Sequence, residues 1–181
     1  MAKAKLSDFK KLLATFSEQE AKDELLKLFN KLPQVQDFYL QELASEEDRK
    51  KVVEDCKKKI YNEFWTRSGM PKNVNNTTVK RIISDFEKIS VSPSEVIELL
   101  LYRVKNCLDM ACQFGGTSDA NYNTALTAFE KALKIITKEK LEPFFSVECK
   151  ELVQKRNNMD QWVIYQMTLW MNEYLFQEDN N

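Results

Sequence analysis

SPSEVIELLLYRVKNCLDMACQFGGTSDANYNTALTAFEKALKIIT, residues 92–137, reads as two amphipathic helices around a glycine turn. Ser92 with Glu95 three residues on predicts a reciprocal capping box, and Pro93 suits the first helical position. Ile97, Leu100, Val104, Leu108 and Ala111 recur at helical spacing, which lays one apolar stripe and leaves Glu98, Lys105 and Asp109 on the far side. The pattern stops at Gly115-Gly116, where glycine closes a helix in the left-handed conformation without a steric penalty. Thr117, Ser118 and Asp119 offer caps for a second helix, striped by Tyr122, Leu126, Phe129, Leu133 and Ile136. A connection this short makes the pair an antiparallel hairpin, since helix connections in bundles commonly run about two to eight residues.

The same grammar extends outward. Toward the N-terminus, Ser7 is a cap for a helix carrying Phe9, Leu12 and Leu13. Ser17 and Glu20 form a capping box before Ala21, Leu25, Leu28 and Phe29, and that helix ends near Pro33. Val35, Phe38, Tyr39 and Leu43 make a short helix. Ser45 with Glu46, Glu47 and Asp48 places a cap and negative charge at the start of the next, whose inward residues are Val53, Cys56, Ile60 and Phe64. Residues 67–76 are rich in turn formers and mark a sub-boundary; Asn76 or Thr77 then caps a helix bearing Val79, Ile82, Ile83, Phe86 and Ile89. Beyond Thr137, Pro143 opens a helix with Phe144, Phe145, Val147, Leu152 and Val153, which a polar Arg156-Asn157-Asn158 break ends. The last helix, from Met159 to Phe176, is apolar nearly all round, with polar residues at Gln161, Thr168 and Asn172. Such a helix is normally buried or covered by a partner.

With 43% hydrophobic residues in 181, the chain can bury a substantial core, and its 3 glycines and 4 prolines argue against disorder and against turn-rich β architecture. The expectation is a single all-α domain over 1–181: an irregular multi-helix bundle, or a short stack of helical hairpins, of about eight or nine helices. No apolar run approaches the roughly 20 residues that span a bilayer, and the lysine-containing Met1–Lys5 lacks a signal-peptide apolar region, so a cytoplasmic protein is expected. Cys56, Cys107, Cys112 and Cys149 form no C-x-x-C pair, which points to reduced thiols rather than a zinc or thioredoxin-like site.

Histidine is absent, which removes Cys–His and Ser–His catalysis and the usual Glu-x-x-His ligands of a bundle di-iron site. Gly69, Gly115 and Gly116 follow no strand, so there is no glycine-rich phosphate loop. A non-enzyme with no cofactor, no metal ligands and no catalytic residues is expected; carboxylate-based chemistry is the remaining enzymatic alternative.

Two features depart from an even background. Trp162, Trp170, Met171 and Tyr174 make the last helix a candidate surface for a protein partner or a second copy of the chain, set against burial in the bundle's own core. Between Arg49 and Arg81 the chain is strongly basic, and Lys57, Lys58, Lys59, Arg67, Lys72, Lys80 and Arg81 are candidate phosphate contacts for a nucleic-acid-binding accessory protein. Against this, Lys57 and Lys58 fall opposite the Val53–Ile60–Phe64 stripe, as on an ordinary solvated helix face. A helical protein-interaction module is the first expectation, nucleic-acid binding the alternative, and no membrane role is expected.

Leu99-Leu100-Leu101-Tyr102, Phe114-Gly115-Gly116 and Ala128-Phe129-Glu130-Lys131-Ala132-Leu133 resemble a family of bacterial all-helical proteins classed as a domain of unknown function. Leu6-Ser7-Asp8-Phe9 and the run from Ser17 through Leu28 to Pro33 are similar to that family's opening helices. The resemblance covers most of the chain and implies an all-helical cytoplasmic protein with no assigned activity or catalytic residues. Ala125, Phe129, Ala132 and Leu133 also resemble the second helix of a tetratricopeptide repeat, without a second copy at the roughly 34-residue period of such arrays.

Overall fold

The computed structural model describes residues 5–154 and 160–176. Among them are nine helices and no strand: α1 (Leu6–Leu13), α2 (Glu18–Lys31), α3 (Pro33–Leu43), α4 (Glu46–Phe64), α5 (Asn76–Ile89), α6 (Pro93–Phe114), α7 (Asp119–Glu139), α8 (Glu142–Gln154) and α9 (Gln161–Leu175). Two compact units meet at the junction of residues 43 and 44. The division therefore falls there and not at the 67–76 loop, which lies inside the second unit. That loop is tied down at both ends: Trp65 and Val74 are buried, Thr66 N donates to Met70 O at 2.8 Å, and Lys72 N donates to Phe64 O at 2.8 Å.

In the first unit the Ser17 capping box forms as expected, with Ser17 N donating to Glu20 Oε2 at 2.8 Å and Glu20 N donating to Ser17 Oγ at 3.3 Å. Ser7 is not a cap, because α1 begins one residue earlier, behind Lys5. No described side chain of α1–α3 is buried, and Phe9, Leu12, Leu13 and Leu25, expected inward, are all exposed. Three short helices are too few to enclose a dry interior, as a chain segment of about 40 residues generally is. Their best contact is aromatic, Phe29 edge-on to Tyr39 with centroids 6.1 Å apart.

The second unit is built on the central hairpin. The expected stripes of α6 and α7 are buried along their whole length. Gly115 closes α6 at φ +76°, and Gly116 N donates to Ala111 O at 2.8 Å. Ser118 caps α7 by accepting from Asn121 N. The capping box at Ser92 does not form, although Pro93 does hold the first position. Glu95 is drawn elsewhere: its carboxylate accepts from Ser90 Oγ at 3.1 Å and from Arg49 Nε at 3.3 Å, which ties the start of α6 to the start of α4. Arg49 also donates to Ala44 O.

Helix α6 carries more than one buried face. Val96, Leu99, Arg103, Asn106 and Met110 form a second stripe at the same helical spacing, and all are buried. α4 and α5 pack on α6 beside α7, while α7 also meets α8 and α9. α5 is capped by Asn75, whose Oδ1 accepts from Thr78 N at 3.0 Å, and not by Asn76 or Thr77. This single-residue shift leaves the Asn76 side chain free for tertiary bonds. Cys149, Leu152 and Val153 hold α8 to the core, whereas Phe144 and Val147 face solvent. The Arg156-Asn157-Asn158 break and Met159 lie outside the described residues.

Candidate functional site

Helix α9 has two apolar faces of opposite fate. Val163, Met167 and Met171, four residues apart, are buried. Trp162, Tyr165 and Leu169 lie on another side and are 47%, 69% and 47% exposed. Of the four expected interface residues, Met171 belongs to the core, because it shares the buried face of Val163 and Met167. Trp170 and Tyr174 pack partly against that core. Trp162 alone stands well out, its inner edge against buried Tyr122 with centroids 6.1 Å apart and planes at 80°. Burial, then Asp160, pushes the Tyr122 hydroxyl up to about 12. Tyr165 and Leu169 were not expected on the outer face; their offset of three and seven residues from Trp162 is the signal that finds them.

The basic segment is spread over several elements and only partly neutralised. Lys57, Lys58 and Lys59 are consecutive on α4, so successive side chains point about 100° apart and cannot share one face. Lys57 pairs with Glu54 at 2.7 Å and Glu98 at 2.5 Å; burial works against its charge, but the two carboxylates outweigh it and raise its pKa. Lys58 pairs with Asp55 at 3.2 Å, and Lys72 donates to Asn62 O at 2.6 Å. Lys59, Arg67, Lys80 and Arg81 make no ion pair among the described residues. Lys80 lines a pocket with residues of α6 and α7, away from the α4 lysines in sequence and setting.

Sequence reading missed the buried polar groups of α6. Arg103 is 3% exposed and has no carboxylate partner among the described residues. One guanidinium nitrogen donates to Thr124 O; the other donates to Asn76 Oδ1 at 2.8 Å; Nε is sealed from solvent with no acceptor. Burial draws its pKa down to about 10, which still leaves it charged at neutral pH. From Asn76 the chain of bonds continues: Nδ2 donates to Asn121 Oδ1 at 2.7 Å, and Asn121 Nδ2 donates to Thr117 Oγ1 at 2.8 Å. The network joins the start of α5 to the middle of α6, to the first turns of α7 and to Thr117 just before it. Asn106, one turn on from Arg103, accepts from Trp65 Nε1 at 2.8 Å and donates to Tyr102 O at 2.8 Å.

Each of the two buried polar residues of α6 borders a pocket. One of about 250 Å³ lies where α5, α6 and α7 meet, with Lys80, Ile83, Ser84, Leu100, Arg103 and Ala128 among its walls. The other, about 280 Å³, is walled by Tyr61, Trp65, Tyr102, Lys105, Asn106 and Asp109. Among the described residues no group of three or more Cys, Asp or Glu is placed to hold a metal ion, and no helix is long and apolar enough to cross a membrane.

The chain belongs to the Family of unknown function (DUF6155), whose model matches residues 1–175. No curated protein and no solved structure gives a significant match.

Proposed function

We propose that this member of a family without an assigned activity is a non-enzymatic helical interaction module that self-associates through the outer face of α9. The observation that carries the reading is the pairing of a buried Val163–Met167–Met171 face with an exposed Trp162–Tyr165–Leu169 face on one helix. Large aromatic and aliphatic side chains at interface cores favour burial when a partner is present. A second copy suits this face because α9 carries a single formal charge, Glu173, so two such helices meet without strong like-charge repulsion. The lack of histidine supports a non-enzymatic role. The four cysteines form no disulfide among the described residues, which favours a reducing compartment and hence the cytoplasm.

Light scattering and sedimentation of the full chain over a range of concentrations test this reading. A dimer is expected, with Tyr165→Glu and Leu169→Glu each converting it to monomer. A wild-type chain that stays monomeric at every concentration overturns self-association. Nucleic-acid binding is the second reading, favoured by the unpaired Lys59, Arg67 and Arg81. It requires binding to mixed-sequence DNA or RNA that weakens steeply with salt.

A further inference from the structure

The strongest unexplained feature of the molecule is the charge of Arg103. A guanidinium that is 3% exposed is ordinarily matched by a carboxylate, yet Arg103 meets only a backbone carbonyl and an amide oxygen, and its Nε has no acceptor. Two neutral acceptors satisfy directions in space but leave the positive charge unbalanced. Beside it lies the pocket of about 250 Å³. Two lysines reach the same pocket: Lys131, already held by Glu87 at 2.6 Å, and Lys80, which has no ion pair among the described residues. Ile83, Leu100 and Ala128 supply an apolar wall, and the Ser84 hydroxyl makes no hydrogen bond among the described residues.

We propose that this pocket binds a small organic carboxylate, whose negative charge balances Arg103 and Lys80 and whose apolar part lies on Ile83, Leu100 and Ala128. The two cations attract the carboxylate, Arg103 from a position shielded from water and Lys80 from the exposed rim. Ser84 donates to a carboxylate oxygen, and the apolar wall takes the remainder of the molecule. A phosphate fits less well: its greater charge asks for more donors than one open hydroxyl and one lysine supply, and it leaves the apolar wall uncovered. The volume limits the occupant to a small molecule. The site shares no residue with the outer face of α9, so the inference stands apart from the self-association reading.

The test is thermal unfolding of the full chain with benzoate and hexanoate as probes, against benzamide and inorganic phosphate. A ligand held only by the folded protein raises the melting temperature in proportion to the logarithm of its concentration. At least one carboxylate is expected to do so, and benzamide to bind about tenfold more weakly or worse, the loss of one screened charge pair. Ser84→Leu, at an exposed helix position that tolerates leucine, is expected to fold normally and abolish the shift. Lys80→Gln is expected to reduce it. No shift with either carboxylate at millimolar concentration overturns the proposal. So do equal shifts with benzoate and benzamide, a shift with phosphate alone, or a carboxylate shift that survives Ser84→Leu.

Discussion

Asn76→Ala isolates the energetic weight of the polar network from that of helix capping. Asn76 Oδ1 is the acceptor for one Arg103 nitrogen at 2.8 Å and lies 2.9 Å from Thr124 Oγ1; its Nδ2 is the donor to Asn121 at 2.7 Å. Removing the amide strips a charged, buried donor of one of its two acceptors, a loss of about 1.5–3 kcal/mol, and breaks a neutral bond of about 1 kcal/mol. The Thr124 hydroxyl has backbone acceptors at Ala120 and Asn121 within reach, so its share is small. The expected loss is about 3 kcal/mol, which lowers the melting temperature by roughly 6–12 °C for a unit of this size.

Urea unfolding followed by tryptophan fluorescence is the assay, because Trp65, Trp162 and Trp170 all lie in the 44–181 unit and report on it alone. Asn75→Ala removes the true cap of α5 and should lose about 1 kcal/mol. Asn73→Ala, at an exposed loop position, should fall within about 0.5 kcal/mol of the parent. Pairing Asn76→Ala with Arg103→Met should give a coupling energy of about 1–3 kcal/mol, since both changes act on one bond. A loss at Asn76 no larger than that at Asn75, or additive behaviour with Arg103→Met, refutes the network as a stabilising unit.

Two further outcomes follow from backbone geometry and from burial. Gly115→Ala should lose about 1–2 kcal/mol, since alanine meets no neighbour there but must adopt φ +76°; Lys140→Gly, relieving φ +56° at the end of α7, should gain about 1 kcal/mol. Both are read from urea midpoints. Burial, aided by Glu148, pushes the Cys149 thiol up to about 12 from an ordinary value of 9.0. The folded thiol keeps its proton where the unfolded one ionises, so its contribution to stability is fully present below pH 9.0 and is lost as pH rises toward about 12. Stability measured against pH should show that alkaline decline, and Cys149→Ala should flatten it. In the native state at neutral pH, a thiol reagent should modify Cys112 well before the buried Cys56, Cys107 and Cys149.

What the sequence made legible was set by which signals are local. The Gly115 turn, the Ser17, Ser45 and Ser118 caps and the stripes of α4, α6 and α7 depend on residues within one or two turns of each other, and each is found where expected. Ser92 has the same local pattern as Ser17 and still forms no box, because a distant arginine, Arg49, and Ser90 share the glutamate it needs. Asn76 passes for a cap beside Asn75 for the same reason: which of two adjacent asparagines turns inward depends on Arg103, far along the chain. The apolar stripes of α1 and α2 have helical spacing as clear as any, yet nothing in that spacing states whether a neighbour covers them.

The second buried face of α6 shows why the candidate ligand site is not legible in the sequence. Val96, Leu99 and Met110 are spaced to bury, but Arg103 and Asn106 interrupt them, and a pattern that scores apolar residues assigns such a face to water. Polar residues reach the interior only where partners meet them, and those partners come from other helices: Thr124 and Asn76 for Arg103, Trp65 for Asn106. Asn106 is matched on both sides by neutral groups and needs nothing more. Arg103 is matched in geometry and unmatched in charge, and it borders a pocket with a second unpaired cation at Lys80. Of the two buried polar groups of α6, only the arginine retains an electrostatic deficit, and this places a ligand beside Arg103 rather than beside Asn106.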